Sequence, residues 1–431
     1  MKALVWFRND LRVTDNVTLS NALENFTDIY PVYCFDPREF ALSNQGFNRT
    51  GPYRAKFLLE SVATLKNMLM ELGSTLIVKM GDPTEVIPAL ARELKVKTVL
   101  ASKEAAIEET NIENLLEQKL WGAGIEFELF WQSTLYNLAD IPWPIKRLPE
   151  TFTDFRKQAE TESFIRDLMP AVNEVRTFAR VDSEEIPTLE DLGLNMPETD
   201  SRVVLDFQGG EKAALERLKN YLWETKLLSK YKETRNGLIG ANYSSKLSPW
   251  LALGCISPRT IYYEVKKYEA EIIKNSSTYW LIFELIWRDY FRFIAKKHGA
   301  KLFRVNGIRE REIEFNEDKD AFKKWSEGKT SQPFVNANMM ELNSTGFMSN
   351  RGRQIVASFL AHDLKVKWTW GAAYFESLLI DYDPASNWGN WNYMAGVGND
   401  PRKDRYFNVE SQAAKYDPKN EYINLWNESV G

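Results

Sequence analysis

A chain of 431 residues outgrows a single hydrophobic core, which stops growing near about 250–300 residues, so two or three domains are expected. The ordinary balance of 44% hydrophobic and 27% charged residues and a net charge of −5 exclude a protein that coats nucleic acid through bulk charge, though not one with a local basic face. No run reaches the ~18 apolar residues of a membrane span, and two cysteines (Cys34, Cys255) with two histidines (His298, His362) speak against a disulfide framework and a His/Cys zinc site.

In chain order, Ala3–Arg8, Ile29–Phe35, Thr75–Lys79, Thr98–Ala101 and Glu126–Trp131 read as short buried strands. Amphipathic helices lie between them. The clearest is Pro52–Leu72, with Leu58, Val62, Leu65, Leu69 and Leu72 on one face and Gly73 after it. Asp82-Pro83-Thr84-Glu85 places an N-cap, a proline at N1 and a glutamate at N3 ahead of the next helix. This alternation predicts a doubly wound parallel α/β domain over 1–131. The short run Ala3–Phe7 is no signal-peptide core, which predicts a cytoplasmic protein. Neither G-x-G-x-x-G nor a P-loop is present, since Lys323 stands where the Gly328-Lys329-Thr330 stretch would need its first glycine.

From 132 to 206 prolines and acidic stretches such as Asp182–Glu185 predict a long connector with one or two short helices. Beyond Phe207 strand signals vanish, and 207–431 reads as an all-α domain. It has helices around Leu215–Leu222, after Ser257-Pro258, over Thr278–Lys297, and near Gly352–Lys365 and Trp370–Ile380. Fourteen tryptophans, most of them in this half, suit either an aromatic core or a planar redox ligand.

Four stretches of the second half carry chemistry. Ser244, Ser245 and Lys246 precede a helix that Ser248-Pro249 starts and Gly254 closes, which suits an anion such as a diphosphate. Glu284 and Arg288, spaced i, i+4 among Trp280, Phe283, Trp287, Tyr290 and Phe291, form either a surface pair or a buried site. Asn350-Arg351-Gly352-Arg353-Gln354 brings two guanidinium groups and two amides to a helix start. Asp381-Tyr382-Asp383-Pro384 offers two carboxylates for Arg353, sugar hydroxyls or, last, a metal; as a plain turn it would end a helix.

Together these motifs resemble the FAD-binding core of the cryptochrome/photolyase family. The likeness covers nearly the whole chain, from Trp6-Phe7-Arg8-Asn9-Asp10-Leu11-Arg12 onward. Ala395–Arg402, Arg405–Asn408, Gln412–Pro418 and Tyr279-Trp280-Leu281 resemble the DASH type in particular. The resemblance implies an antenna domain (1–131), a connector (132–206) and a helical FAD-binding domain (207–431). It assigns Tyr231, Ser244, Ser245, Lys246, Leu247 and Ser248 to the FAD diphosphate and ribityl chain, and Arg288 and Asn350 to the cofactor's surroundings. Arg353, Asp381 and Asp383 fall beside the isoalloxazine ring, and Asn387 falls opposite flavin N5, where a neutral amide suits a reduced flavin.

Glu284, Trp287, Asn350, Gln354 and Tyr393 match the pocket that receives a cyclobutane pyrimidine dimer. The resemblance implies a blue-light-driven lyase acting mainly on single-stranded DNA, with duplex DNA or RNA as further partners, no membrane, and a monomer as default. Arg351, Lys365, Lys367, Arg402, Lys403 and Arg405 are candidates for a basic rim, or else solvated charge. With Asn350 and Gln354 in the pocket, and no histidine pair, a (6-4) photolyase is disfavoured.

Trp391 and Trp368 match the family's first two electron-transfer tryptophans. Phe315 stands at the third place, so the route weakens or leaves through Trp325 or Trp370. Glu150 matches a contact to 5,10-methenyltetrahydrofolate, the antenna of DASH proteins. The alternatives are a blue-light photoreceptor with little repair, or a flavin protein with no DNA role. No long extension follows Gly431, which favours repair.

Overall fold

The computed structural model describes residues 1–43, 45–177, 183–402 and 405–427. Two expectations, the start of the acidic stretch at Asp182 and the rim cation Lys403, lie outside those residues.

Five parallel strands, β1 (Lys2–Phe7), β2 (Asp28–Phe35), β3 (Ile77–Met80), β4 (Thr98–Ser102) and β5 (Glu126–Phe130), pair in the order β3-β2-β1-β4-β5. β1 and β2 are nearly continuous apolar runs because helices cover both faces. The helices of this domain are α1 (Val17–Asn25), α2 (Pro52–Glu71), α3 (Pro83–Glu93) and α4 (Ile107–Gly122). Leu58, Val62, Leu65 and Leu69 of α2 are buried, as their spacing requires. Asp82 caps α3 by accepting from the Thr84 amide at 2.8 Å. Glu85 turns away to Lys119, so the capping box stays half made. The chain reverses direction across the sheet between β1 and β4. The crevice at that switch point, a usual ligand or docking site of such sheets, is where the helical half docks.

Docking is done by the loop after β1. The Leu11 amide donates to Leu253 O at 3.1 Å, and Arg12 Nη1 donates to Gly254 O at 2.9 Å. At Gly254 (φ +64°) a Cβ would stand 2.0 Å from Asn9 O, so only glycine lets the two halves close. The connector holds α5 (Phe152–Glu162) and then runs extended along the sheet domain, where the Val175 amide donates to Leu72 O and the Ile29 amide donates to Arg176 O, each at 2.8 Å.

The second half contains α6 (Glu211–Lys219), α7 (Tyr231–Thr234), α8 (Ser248–Ala252), α9 (Pro258–Glu271), α10 (Ser276–His298), α11 (Lys319–Ser326), α12 (Pro333–Thr345), α13 (Asn350–Ser358), α14 (Trp368–Leu378), α15 (Pro384–Met394), α16 (Val409–Tyr416) and α17 (Glu421–Asn427). Two boundaries differ from the sequence reading. Leu247 already has helical dihedrals, so Ser248 and Pro249 occupy N1 and N2 of α8. Asp383-Pro384 starts α15 instead of ending a helix, because Asp383 accepts from the Ser386 amide at 2.7 Å and proline suits N1. The helix expected over Gly352–Lys365 widens into a π-turn at Phe359–Asp363.

Candidate functional site

Two helix starts build the pocket. The Ser349 hydroxyl accepts from the Gly352 amide at 3.0 Å and opens α13, which presents Asn350, Arg353 and Gln354. Asp383 opens α15, which presents Asn387 and Trp391. These residues and Asp381 line one pocket, so seven of the residues singled out by sequence converge there.

Arg353 Nη2 meets Asp381 Oδ2 at 2.9 Å, and the Ser248 hydroxyl donates to the same oxygen at 2.6 Å. The one-residue shift of α8 frees that hydroxyl for the acid. Burial works against the Asp383 carboxylate, but Arg292 and Arg288 outweigh it and hold the group below the usual range. Asn387 donates from Nδ2 to Ala372 O at 3.0 Å, which fixes the amide's orientation.

The loop before α8 is pinned by Arg217 of α6, which donates to Ala241 O, Ser244 O and Ser245 O at 2.9–3.1 Å. Lys246 sits in the left-handed region (φ +54°), is 3% exposed, and lies 3.2 Å from the centre of the Tyr243 ring. Burial lowers its pKa strongly; Glu341 opposes the shift while Arg217 and Arg353 add to it. Lys246 Nζ, the Tyr243 hydroxyl, Asp381 Oδ1, Glu341 Oε1 and Gln354 Oε1 are all buried without a hydrogen-bond partner among the described residues. Native interiors rarely leave such groups unmet. A bound anion with polar edges would answer them, and the residues present fit the diphosphate and ring system of FAD.

Tyr231, Ser245 and Leu247 are buried, and none of them lines that pocket. Arg288, expected near the flavin, donates to Ser133 O and Leu251 O, and thereby joins the connector to α8. It does not pair with Glu284.

Glu284 instead meets Arg235 Nη1 at 2.7 Å and accepts from Trp280 Nε1 at 3.1 Å. Burial raises its carboxyl and Arg235 opposes that. One turn further, Trp287 has one face stacked on Phe152 of the connector, with ring centres 3.6 Å apart. Its edge meets Tyr393 at 6.0 Å and 87°. Arg405 donates to the Tyr393 hydroxyl at 2.8 Å and grips Asp400, so it positions the tyrosine as well as adding charge. Arg351 reaches Asn236 Oδ1 at 3.2 Å and lies against Tyr416 and Phe407. Arg402 and Lys365 are exposed, whereas Lys367 is paired with Glu317.

Arg217, Arg235, Arg292 and Phe152 went unnoticed in the sequence. Each lies far along the chain from the motif it serves. Only the cationic stretch around Lys230–Arg235, next to Tyr231, offered a local cue.

Trp391 has ring neighbours Phe375 at 5.1 Å and Trp325 at 6.2 Å, and Phe322 bridges Trp325 to Trp370 at 5.6 and 5.5 Å. Trp368 lies beside Trp388 at 5.9 Å. Glu150 is paired with Lys297, and its carbonyl accepts from Tyr290 and Asn399. His362 meets Met394 O at 2.8 Å, behind Tyr393, and His298 ends α10. On the far side of Asp383, between the strand ends and the helices, lies a cavity of about 790 Å³, lined by Arg8, Arg49, Arg54, Arg292, Glu104 and Glu109 among others. Among the described residues no group of His, Cys, Asp and Glu is arranged to hold a metal, and no helix is long and apolar enough to cross a membrane.

A sheet domain docked on a helical domain with this pocket defines a photolyase-type flavoprotein. Residues 3–174 match the DNA photolyase family model, and residues 280–430 match the FAD binding domain of DNA photolyase. A cryptochrome DASH from Gloeobacter violaceus is 53% identical over 98% of this chain and 85% of its own length. The crystal structure of a Synechocystis cryptochrome superposes with a TM-score of 0.96 at 50% identity, over 99% of this chain and 88% of that one. An archaeal photolyase from Sulfolobus tokodaii, whose crystal structure has two FAD molecules, matches with a TM-score of 0.83 at 28% identity, over 100% of this chain and 91% of that one. The chain belongs to the cryptochrome/photolyase family, on its cryptochrome DASH branch.

Proposed function

We propose that this protein repairs cyclobutane pyrimidine dimers, mainly in single-stranded DNA, under blue light. The observation that carries the reading is the corner made by Trp287 and Tyr393, with rings 6.0 Å apart at 87° and the Glu284 carboxylate one turn away. Such a corner stacks a flipped base on an aromatic face while an acid meets its polar edge. Burial raises the Glu284 carboxyl while Arg235, 2.7 Å away, opposes the shift and holds the acid in place to meet a base edge. Asn350 and Gln354 supply amides, and Arg351, Arg402 and Arg405, with Arg235 added, supply phosphate contacts. Lys403 and the more distant Lys365 and Lys367 complete that rim in this reading.

Ser244, Ser245, Lys246, Leu247, Ser248 and Tyr231 would hold FAD, with Arg353, Asp381, Asp383 and Asn387 along its ring and Arg288 behind it. FAD held there would supply the electron that opens the cyclobutane ring and would take it back. Trp391 and Trp368 would carry reducing electrons inward, with Trp325, buried beside Trp391, and Trp370 as a second branch. The division at 131 and 206 into antenna domain, connector and FAD-binding domain belongs to the same reading, as do a cytoplasmic place and a monomeric state. For the antenna we favour 5,10-methenyltetrahydrofolate beside Glu150. The 790 Å³ cavity supports a second reading, a planar chromophore at the strand ends. Extraction and mass analysis of the bound chromophores tells the two apart.

The decisive experiment follows repair of a thymine dimer in a short single-stranded oligonucleotide under blue light with reductant. Repair by the wild type that collapses in Glu284→Ala is the expected result. A wild type that photoreduces its FAD yet repairs nothing would make the protein a photoreceptor.

A further inference from the structure

We propose that Tyr422 of α17 is a positioning residue of the cofactor site, holding Glu341 within the charged surroundings of Lys246 and Arg353; this rests on the reading that FAD binds there. Glu341, on α12, is fully buried. One of its oxygens accepts from the Tyr422 hydroxyl at 2.6 Å, and the other has no partner among the described residues. Lys246 Nζ is also buried without a partner, packed between the Tyr243 and Phe347 rings at 3.2 and 5.0 Å. Glu341 interacts electrostatically with both Lys246 and Arg353, the cations on either side of the pocket.

α17 packs along α12, where the Tyr422 ring meets Phe334 at 6.1 Å and Asn427 Nδ2 donates to Pro333 O at 3.1 Å. Asp417 accepts from the Tyr422 and Ile423 amides at 3.0 and 2.9 Å. Arg202 of the connector lies 4.2 Å over the Trp426 ring and donates to Leu425 O at 3.2 Å. From that packing the Tyr422 hydroxyl reaches Glu341, and it lies 3.3 Å from Asn338 Oδ1 as well.

That hydroxyl matters because charge is costly there. A carboxylate in an apolar interior stays ionised only while donors or cations meet it, and an ammonium beside it stays charged only while the anion is present. Burial already pushes the Glu341 carboxyl up to about 7, with Tyr422 pulling the other way. Without the tyrosine hydroxyl, Glu341 gives up its charge more readily, and Lys246 and Arg353 lose a counter-charge that helps hold them in place for a diphosphate. Tyr422 thus sets how firmly the cofactor is held.

The test measures FAD release from the full-length protein by recovery of free-flavin fluorescence, for wild type, Tyr422→Phe, Lys246→Met and the double variant. The melting temperature of each FAD-free protein serves as a control on folding. Tyr422→Phe is expected to release FAD about tenfold faster, the effect of one buried hydrogen bond to a charged group. Lys246→Met is faster still, and the double variant equals it because the tyrosine acts through the lysine. Glu341→Gln, which keeps the side chain's shape, must show the same acceleration as Tyr422→Phe even if that variant folds poorly. Release at the wild-type rate in both, or effects that multiply in the double variant, overturns this role of Tyr422. A wild type that binds no FAD overturns the cofactor reading beneath it.

Discussion

At the seam between the sheet and the helices, Asp15 accepts from Arg259 at 2.6 and 3.1 Å, from the Ser257 hydroxyl and from the Met169 amide. Beside it Glu211 accepts from the Val13 and Thr14 amides at 2.7 and 3.0 Å, and Gln132 donates to Asp10 at 2.8 Å. In and around the pocket walled by α13 and α15, Lys246, Asp381, Glu341 and Gln354 each keep an atom without a partner among the described residues. A buried polar network that is complete rigidifies and specifies one arrangement; an incomplete one stores a demand for a ligand. The seam is therefore the molecule's fastening, and the pocket is its binding site.

The comparison breaks first at the seam. Asp15→Asn keeps the left-handed backbone there (φ +51°), which asparagine tolerates, but leaves Arg259 charged and buried. Loss of one partner of a buried ion pair costs about 3–5 kcal/mol. Chemical denaturation should show that loss equally with and without FAD. In the pocket the sign should reverse. Lys246→Met removes an unmet buried cation, so the FAD-free protein should gain stability while FAD binding weakens by about 100-fold, the worth of a strong charge-assisted bond. Calorimetry of the two forms measures both. If Lys246→Met destabilised the FAD-free protein, the pocket would be a second fastening and the contrast would fail.

Gly352→Ala sharpens the comparison with a smaller effect. Its Cβ would stand 1.9 Å from Asn338 Oδ1, close to the Tyr422 hydroxyl. Overpacking of this kind costs typically about 1–3 kcal/mol. The strain falls on the pocket wall, so FAD-free and FAD-bound melting temperatures should drop by unequal amounts.

The fastening and the site were not equally legible in the sequence. The parallel sheet was, because strand and helix periodicities and the Asp82-Pro83 start are local signals. So was the inner wall of the pocket, since Asn350–Gln354 and Asp381–Asn387 are contiguous motifs. At two places the sequence left alternatives open, and tertiary partners decided between them. Glu284 and Arg288 have pairing distance on a helix, but Arg288 serves two backbone carbonyls and Glu284 takes Arg235. Asp383-Pro384 has the composition of a turn, and whether it stops or starts a helix depends on which side is packed. Arg217, Phe152 and Tyr422 could not be read at all. Their partners lie on other helices, and no spacing rule links them.

The smallest effect follows from pH and isolates the unmet charge itself. Lys246 in the FAD-free pocket has its pKa lowered by burial, and among the charged groups facing it Glu341 opposes the shift while Arg217 and Arg353 add to it. A diphosphate raises that pKa again, so FAD binding takes up a proton wherever the pH lies above the lowered value and below the restored one. In that window affinity must fall as pH rises, by up to about tenfold per pH unit, which is 1.36 kcal/mol. Below the window Lys246 is charged in both states, and affinity levels off. Glu341 titrates near 7, so wild type and Glu341→Gln are compared to separate its contribution. In Lys246→Met the slope above neutrality should vanish, although Glu341 still titrates. Titration of the FAD-free protein with FAD at several pH values reads this directly, and a slope that persists in Lys246→Met would place the proton on another group and leave Lys246 a packing residue.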